Sequence, residues 1–312
     1  MPGPLTLLAA GAAVGAAAAI CRRRIRATFE RLTDARFPVG ADGIIPGASA
    51  IVLPASGPRG VLVLHGFGDT PQTVRYLAEY LHAAGLGVRA PLLPGHGRRL
   101  ADFARSGGTQ WLAEARDSLV RLRAEHAEVA IVGVSMGGAL ATLLAAHDRR
   151  LPALVLLAPY LSMPRRLRVL AATGALWGWC VPYVAGRGER SIHDTQERSR
   201  SLAYGVTTPR LVAELGAIAR RALAAAPRVT APTLMVQSCE DHRIPPEAAR
   251  RVFAALGAPE KVLEWIDGCG HVITVDHGRE RVFARVREWL DGHWRARGES
   301  TAERTCRVLR TE

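Results

Sequence analysis

Lysine is almost absent from this chain: Lys261 stands alone among 41 basic side chains, and the others are arginine. The formal net charge of +13 is therefore an arginine surplus spread along the whole sequence. Aromatic residues are also scarce, at 5%, and none interleave with a basic run. That pattern argues against a nucleic-acid partner, which needs a basic track with stacking surfaces, and leaves only nonspecific attraction to anionic membranes. Cysteine is limited to Cys21, Cys180, Cys239, Cys269 and Cys306, far apart and with no C-x-x-C pair. Neither a disulfide framework nor a zinc site is expected, and a reducing compartment fits best. There is no Gly-rich phosphate loop and no cluster of metal-ligand residues, so no metal or organic cofactor is expected.

Long hydrophobic runs are missing as well. Residues 5–20 carry no charge and are followed by Arg22-Arg23-Arg24. As a helix they reach only about 24 Å, against a hydrocarbon core of about 30 Å. The positive charges follow the apolar run, whereas a signal peptide carries them in front. Residues 1–24 read as a membrane anchor with the downstream domain on the cytoplasmic side. A cleaved signal and a disordered or mis-started N-terminus are the alternatives. Residues 25–46, with Pro38, Gly40, Gly43 and Pro46 and little periodicity, read as a linker.

What is present is a strand–helix alternation that begins near residue 47. At 48% hydrophobic residues, the chain has material for one large core or two small ones. Strands are predicted at 48–54 and 60–65, paired as a hairpin, then at 88–92, 129–134, 153–158, 232–237 and 262–266. Helices are predicted at 73–84, 111–124, 246–256 and 279–294, with a further one after residue 135. Between about 160 and 228 the alternation stops, with many arginines and the apolar knot Leu176-Trp177-Gly178-Trp179. Such an insertion reads as a helical cap. Residues 297–312 form a polar tail. The fold class is α/β: a doubly wound, mostly parallel sheet over 47–296, with the cap inserted.

The chain turns on Gly133-Val134-Ser135-Met136-Gly137, between a β-branched run and an Ala/Leu-rich run. A serine on a sharp strand-to-helix turn needs strained backbone, and side chains two residues away on either side would collide with the crossing chain. That turn holds a hydroxyl at a helix N-terminus, where developing negative charge is stabilised. Upstream, His65-Gly66-Phe67-Gly68 ends a strand with residues small enough to let backbone N–H groups face a carbonyl oxygen. The expected oxyanion donors are the N–H groups of Phe67 and Met136. Downstream, Asp241 and His271 each follow a predicted strand. Strand ends in an open α/β sheet share one edge, so Ser135, Asp241 and His271 are expected to converge as nucleophile, orienting acid and base. His96 lies before the turn and is expected to be structural.

The chain resembles the α/β-hydrolase superfamily, and within it the bacterial carboxylesterase and monoacylglycerol lipase family. The resemblance rests on H-G-F-G-D-T-P-Q-T-V-R-Y-L-A-E at 65–79, P-L-L-P-G-H-G at 91–97, G-V-S-M-G-G-A-L at 133–140, S-L-A-Y at 201–204, the segment from 227 to 246, and G-H-V-I-T-V-D at 270–276. It implies a serine hydrolase that cleaves carboxylic esters of small molecules or lipids through an acyl-enzyme, without cofactor. Gly66, Trp177, Trp179 and Ser201 are expected to contact substrate. Where the family places an acid against glycerol, just before L-A-Y, this chain has Ser201, and Glu197 is the nearest acid. A thioesterase or other acyl hydrolase is the enzymatic alternative, and a noncatalytic ligand-binding relative is the other.

Overall fold

The computed structural model of the chain describes residues 4–174, 178, 181–186 and 191–308, without the side chains of 4–14 and 295–308. Its centre is a seven-stranded sheet. The strands are β1 (Ile51–Leu53), β2 (Arg59–Leu64), β3 (Gly87–Ala90), β4 (Glu128–Val134), β5 (Leu154–Leu157), β8 (Thr233–Ser238) and β9 (Lys261–Ile266), in the spatial order β1-β3-β2-β4-β5-β8-β9. All neighbours are parallel except β1, which runs antiparallel to β3 with Ile51 opposite Ala90.

The near-continuous apolar character of β2, β4 and β5 is explained by burial on both faces, the rule for strands inside parallel sheets. Alternate residues feed two cores. Leu62, Leu64 and Ile131 join Trp111 and Leu119 of α4 (Gly108–Glu125) and the apolar residues of α5 (Met136–Ala145). Val61, Val63 and Val132 face Leu77 and Leu81 of α2 (Arg75–Ala83) and Phe283 and Leu290 of the C-terminal helix on the other side. The two-layer covering matches a doubly wound sheet.

Three expectations about the N-terminal part of the chain change. Strands β1 and β2 are not a hairpin, because β3 and β4 occupy both edges of β2 and β1 is left to cap β3. Residues expected to form a linker from 25 onward are helical as far as Arg36, the end of α1 (Pro4–Arg36). Its later turns pack on the domain, with Phe29 against the Tyr183 ring and Asp34 accepting the Leu100 N–H at 3.2 Å. Among the described residues, no helix is long and apolar enough to cross a membrane, so the anchor expected at 1–24 has no support. Alanine supplies too little hydrophobicity, and the helix leads straight into Arg22-Arg23-Arg24 and the folded domain.

The insertion holds α3 (Leu100–Arg105) of the body on one flank and its own elements above: α6 (Arg165–Ala172), α7 (Thr195–Arg200) and α8 (Pro209–Ala225). It also contains strand where none was expected, as Val184–Ala185 (β6) pairs antiparallel with Val206–Thr207 (β7). Such two-residue strands carry no periodicity to read. After the sheet come α9 (Pro246–Ala255) and α10, which runs from Arg279 to Val308 and so takes in much of the tail.

Candidate functional site

At the end of β4, Ser135 adopts φ 54°, one of two non-glycine residues with positive φ among those described. The turn that imposes this strain is set by its glycines. A Cβ at Gly137 would lie 2.1 Å from the Leu64 carbonyl oxygen, and one at Gly133 would lie 2.4 Å from that of Gly137. No side chain fits at either place, as expected of a strained serine turn. Backbone bonds hold the strained residue: Ser135 N–H donates to Leu157 O at 2.9 Å, and Tyr160 N–H donates to Ser135 O at 2.9 Å.

The other two residues arrive from the ends of β8 and β9. Asp241 and His271 are both buried, at 5% and 4% exposure. His271 Nδ1 is 2.7 Å from Asp241 Oδ2, and its Nε2 is 2.8 Å from Ser135 Oγ. A carboxylate only accepts, so Nδ1 carries the proton and Nε2 is left to accept from the serine hydroxyl. The structure brings the three residues predicted to meet within hydrogen-bonding distance of one another.

Asp241 is fully engaged. Gln237 Nε2 donates to Oδ2 at 2.7 Å, while the N–H groups of Arg243 and Ile244 donate to Oδ1 at 2.8 and 3.1 Å. Burial works to raise its pKa, but His271 and these donors outweigh burial, and the net shift is downward. The carboxylate therefore stays charged beside the imidazole. The loops that carry Asp241 and His271 are also joined to each other, since the Ser238 hydroxyl donates to Cys269 O at 2.6 Å.

The opposite wall is the H-G-F-G loop. A Cβ on Gly66 would stand 3.4 Å from Ser135 Cβ, so this glycine lies directly against the serine. Met136 is the first residue of α5, and its N–H is among those a helix leaves without an intrahelical partner. The Phe67 ring is wedged among Phe103, Trp111 and His96, with centroids at 5.3, 5.8 and 6.4 Å. His65 brackets the loop from behind: Nδ1–H donates to Gly66 O at 2.9 Å, and Nε2 accepts from Leu93 N–H at 3.2 Å. Burial pushes its pKa down to about 4, so it is a neutral structural element. His96 is likewise buried, with a pKa well below the usual value because of burial and the neighbouring His65. It belongs to the scaffold.

Of the residues expected to contact substrate, Gly66 is the one set directly against Ser135. Ser201 stands beside Gln72 and Glu197. Its hydroxyl accepts from Ala203 N–H at 3.3 Å, and it lines a cavity of about 140 Å³ with Gln72, Tyr76, Glu197 and Arg200, which no triad residue borders. Gln72 holds the chain on either side of Ser201, donating to Arg200 O and accepting from Leu202 N–H. Trp177 and Trp179 lie outside the described residues. The sequence reading missed Gln237, Asp276 and Tyr204. Tyr204 pins the cap to the scaffold, with its N–H donating to Gly68 O and its hydroxyl to Arg98 O. Asp276 and Tyr204 stood inside motifs already noted, yet nothing in their spacing assigned them partners. Among the described residues, no group of three or more His, Cys, Asp or Glu side chains could hold a metal ion.

Comparison with known proteins agrees with this architecture. The family described as serine aminopeptidase, S33, matches residues 57–278. A thermostable monoacylglycerol lipase of Bacillus sp. (strain H-257) is 30% identical over 240 residues, covering 76% of this chain and 92% of that protein. A carboxylesterase of Bacillus subtilis (strain 168) is 28% identical over 236 residues, 75% of this chain and 93% of its own. A solved structure from work on LipS and LipT, two metagenome-derived lipolytic enzymes, superposes with a TM-score of 0.72 at 31% identity, covering 80% of this chain and 100% of that one.

Proposed function

The chain belongs to the serine aminopeptidase S33 family of α/β-hydrolases and is a carboxylic ester hydrolase of the esterase and monoacylglycerol lipase type, and from that premise we propose that it works through an acyl-enzyme on Ser135. The observation that carries the proposal is the position of His271, with one ring nitrogen 2.8 Å from Ser135 Oγ and the other 2.7 Å from Asp241 Oδ2.

In this reading His271 takes the hydroxyl proton as Ser135 attacks the ester carbonyl. Asp241 holds the ring and stabilises its charged form. Negative charge that develops on the carbonyl oxygen is received by the N–H groups of Phe67 and Met136. His271 then protonates the departing alcohol, and a water molecule repeats the sequence on the acyl-enzyme. Every group needed is a side chain or backbone amide of this chain.

The test is Ser135→Ala. It should abolish labelling by a fluorophosphonate and lower ester turnover by about 10⁴-fold or more, while leaving the fold intact. A variant labelled like the wild type would place the nucleophile elsewhere. The substrate is proposed to be a simple alkyl or aryl ester, or a lipid ester, with little recognition of the alcohol part. Ser201 offers a single uncharged hydroxyl that accepts from Ala203 N–H, and Glu197 Oε1 is held by Tyr76, Arg200 and Arg279.

A further inference from the structure

The cap meets both catalytic loops through the short segment Ser191–Asp194, just ahead of α7. Val272 N–H, next to His271, donates to Ser191 O at 2.9 Å. Arg243, from the loop that carries Asp241, donates through Nε to Ser191 Oγ at 2.7 Å.

The junction is closed by Asp276, a carboxylate that is 1% exposed. Its Oδ2 accepts from Gly270 N–H at 2.7 Å and from His193 N–H at 2.8 Å. Its Oδ1 accepts from His277 N–H at 2.9 Å and from Asp194 N–H at 2.8 Å. Each oxygen thus joins one amide of the histidine loop to one amide of the cap. Gly270 immediately precedes His271, so the bond to Oδ2 bears directly on where the imidazole is aimed.

We propose that Asp276 is a positioning residue for His271, one that locks the loop bearing the base to the cap and makes the seating of the two a single structural event. The proposal rests on the reading of Ser135 and His271 as nucleophile and base. Its chemistry explains why the residue is an aspartate. An ionised carboxylate only accepts and has sites for about four donors, and bonds to it are short and strong. An amide of the same shape has a single accepting oxygen. Whichever way an asparagine is turned, its NH₂ faces two N–H donors, one from each side, so one of the two bridges between loop and cap is lost and only the other survives. The geometry of proton transfer is unforgiving, since a misplacement of about 1 Å can cost about 10²-fold in rate.

The experiment is Asp276→Asn in the full chain, with p-nitrophenyl butyrate as substrate and active sites counted by fluorophosphonate. The expected result is a fall of at least tenfold in kcat per titrated site, with a parallel slowing of labelling and KM within threefold of wild type. A kcat per site that falls less than tenfold, with the loss confined to melting temperature, makes Asp276 a structural pin and overturns the proposal. Should the variant not fold, amide exchange in the wild type decides. The N–H groups of Gly270, His193, Asp194 and His277 should be protected together and change together when Ser135 is phosphonylated; independent behaviour of the two pairs overturns it. A wild type that takes no label is a different failure, since it removes the Ser135 reading itself.

Discussion

Single residues around the site are tuned by burial, and Asp69 shows the consequence most directly. It follows the H-G-F-G loop, is 8% exposed, and accepts the Thr70 N–H at 2.9 Å. Burial pushes its pKa up to about 7, against the opposing effects of Thr70, Thr73 and Arg243. Between its ordinary value of 3.8 and about 7, the folded chain holds this proton while the unfolded chain releases it. Stability contributed by the group therefore falls as pH rises through that window, and the loss is complete above it. The slope is at most about 1.4 kcal/mol per pH unit. Asp69→Asn keeps the accepting oxygen and removes the titration, so its stability relative to wild type should climb from pH 4.5 to pH 7 and then level off. Urea unfolding at several pH values reads this; a constant difference between the two proteins would rule it out.

At the scale of elements, α1 does work that its composition hides. Glu30 accepts the Tyr183 hydroxyl of the cap at 2.8 Å, and Asp34 accepts the first N–H of α3 at 3.2 Å. A free N–H at a helix start is costly to leave unpaired, and a side-chain acceptor there is worth about 1 kcal/mol. Here the acceptor comes from a different helix, which no local pattern could announce. Removing residues 1–25 should leave stability and turnover close to wild type. Removing 1–36 deletes Phe29, Glu30, Thr33 and Asp34 together, and should cost about 2–3 kcal/mol in unfolding free energy. Equal stability of the two truncated proteins in urea would show that α1 is not part of the domain. The sheet offers a similar lesson. The run at Ile51–Leu53 was legible as strand, but its partner was not, because connection length says nothing about which edge of β2 is already taken.

For the molecule as a whole, the question is what the cap selects. The acid nearest the L-A-Y segment, Glu197, is tied to the Tyr76 hydroxyl at 3.1 Å and lies 3.5 and 3.6 Å from Arg200 and Arg279. A pocket built for glycerol must offer unengaged partners for its hydroxyls, since a buried polar group without one is penalised. Simple alkyl or aryl esters should therefore be hydrolysed at least as well as monoacylglycerols of the same acyl chain. A kcat/KM for the monoacylglycerol more than about tenfold higher, equivalent to about 1.4 kcal/mol of glycerol recognition, would overturn this.

The fold class and the meeting of Ser135, Asp241 and His271 were legible in the sequence, because each depends on a local necessity. A strained serine turn excludes side chains at Gly133 and Gly137, parallel strands buried on both faces need apolar runs, and strand ends share an edge. Such constraints act over a few residues, so they leave a pattern. Tertiary structure alone decided what lies between distant segments: the bonds from Gln237 to Asp241 and from Gly270 to Asp276, Tyr204 bonded to Gly68, and Ser201 set beside Gln72 and Glu197. A carboxylate that satisfies four backbone amides looks in sequence like any other aspartate, since backbone N–H groups are common to nearly every residue. What sets Asp276 apart is that the fold brings two such pairs to it in the dry interior, where leaving them unpaired would be costly.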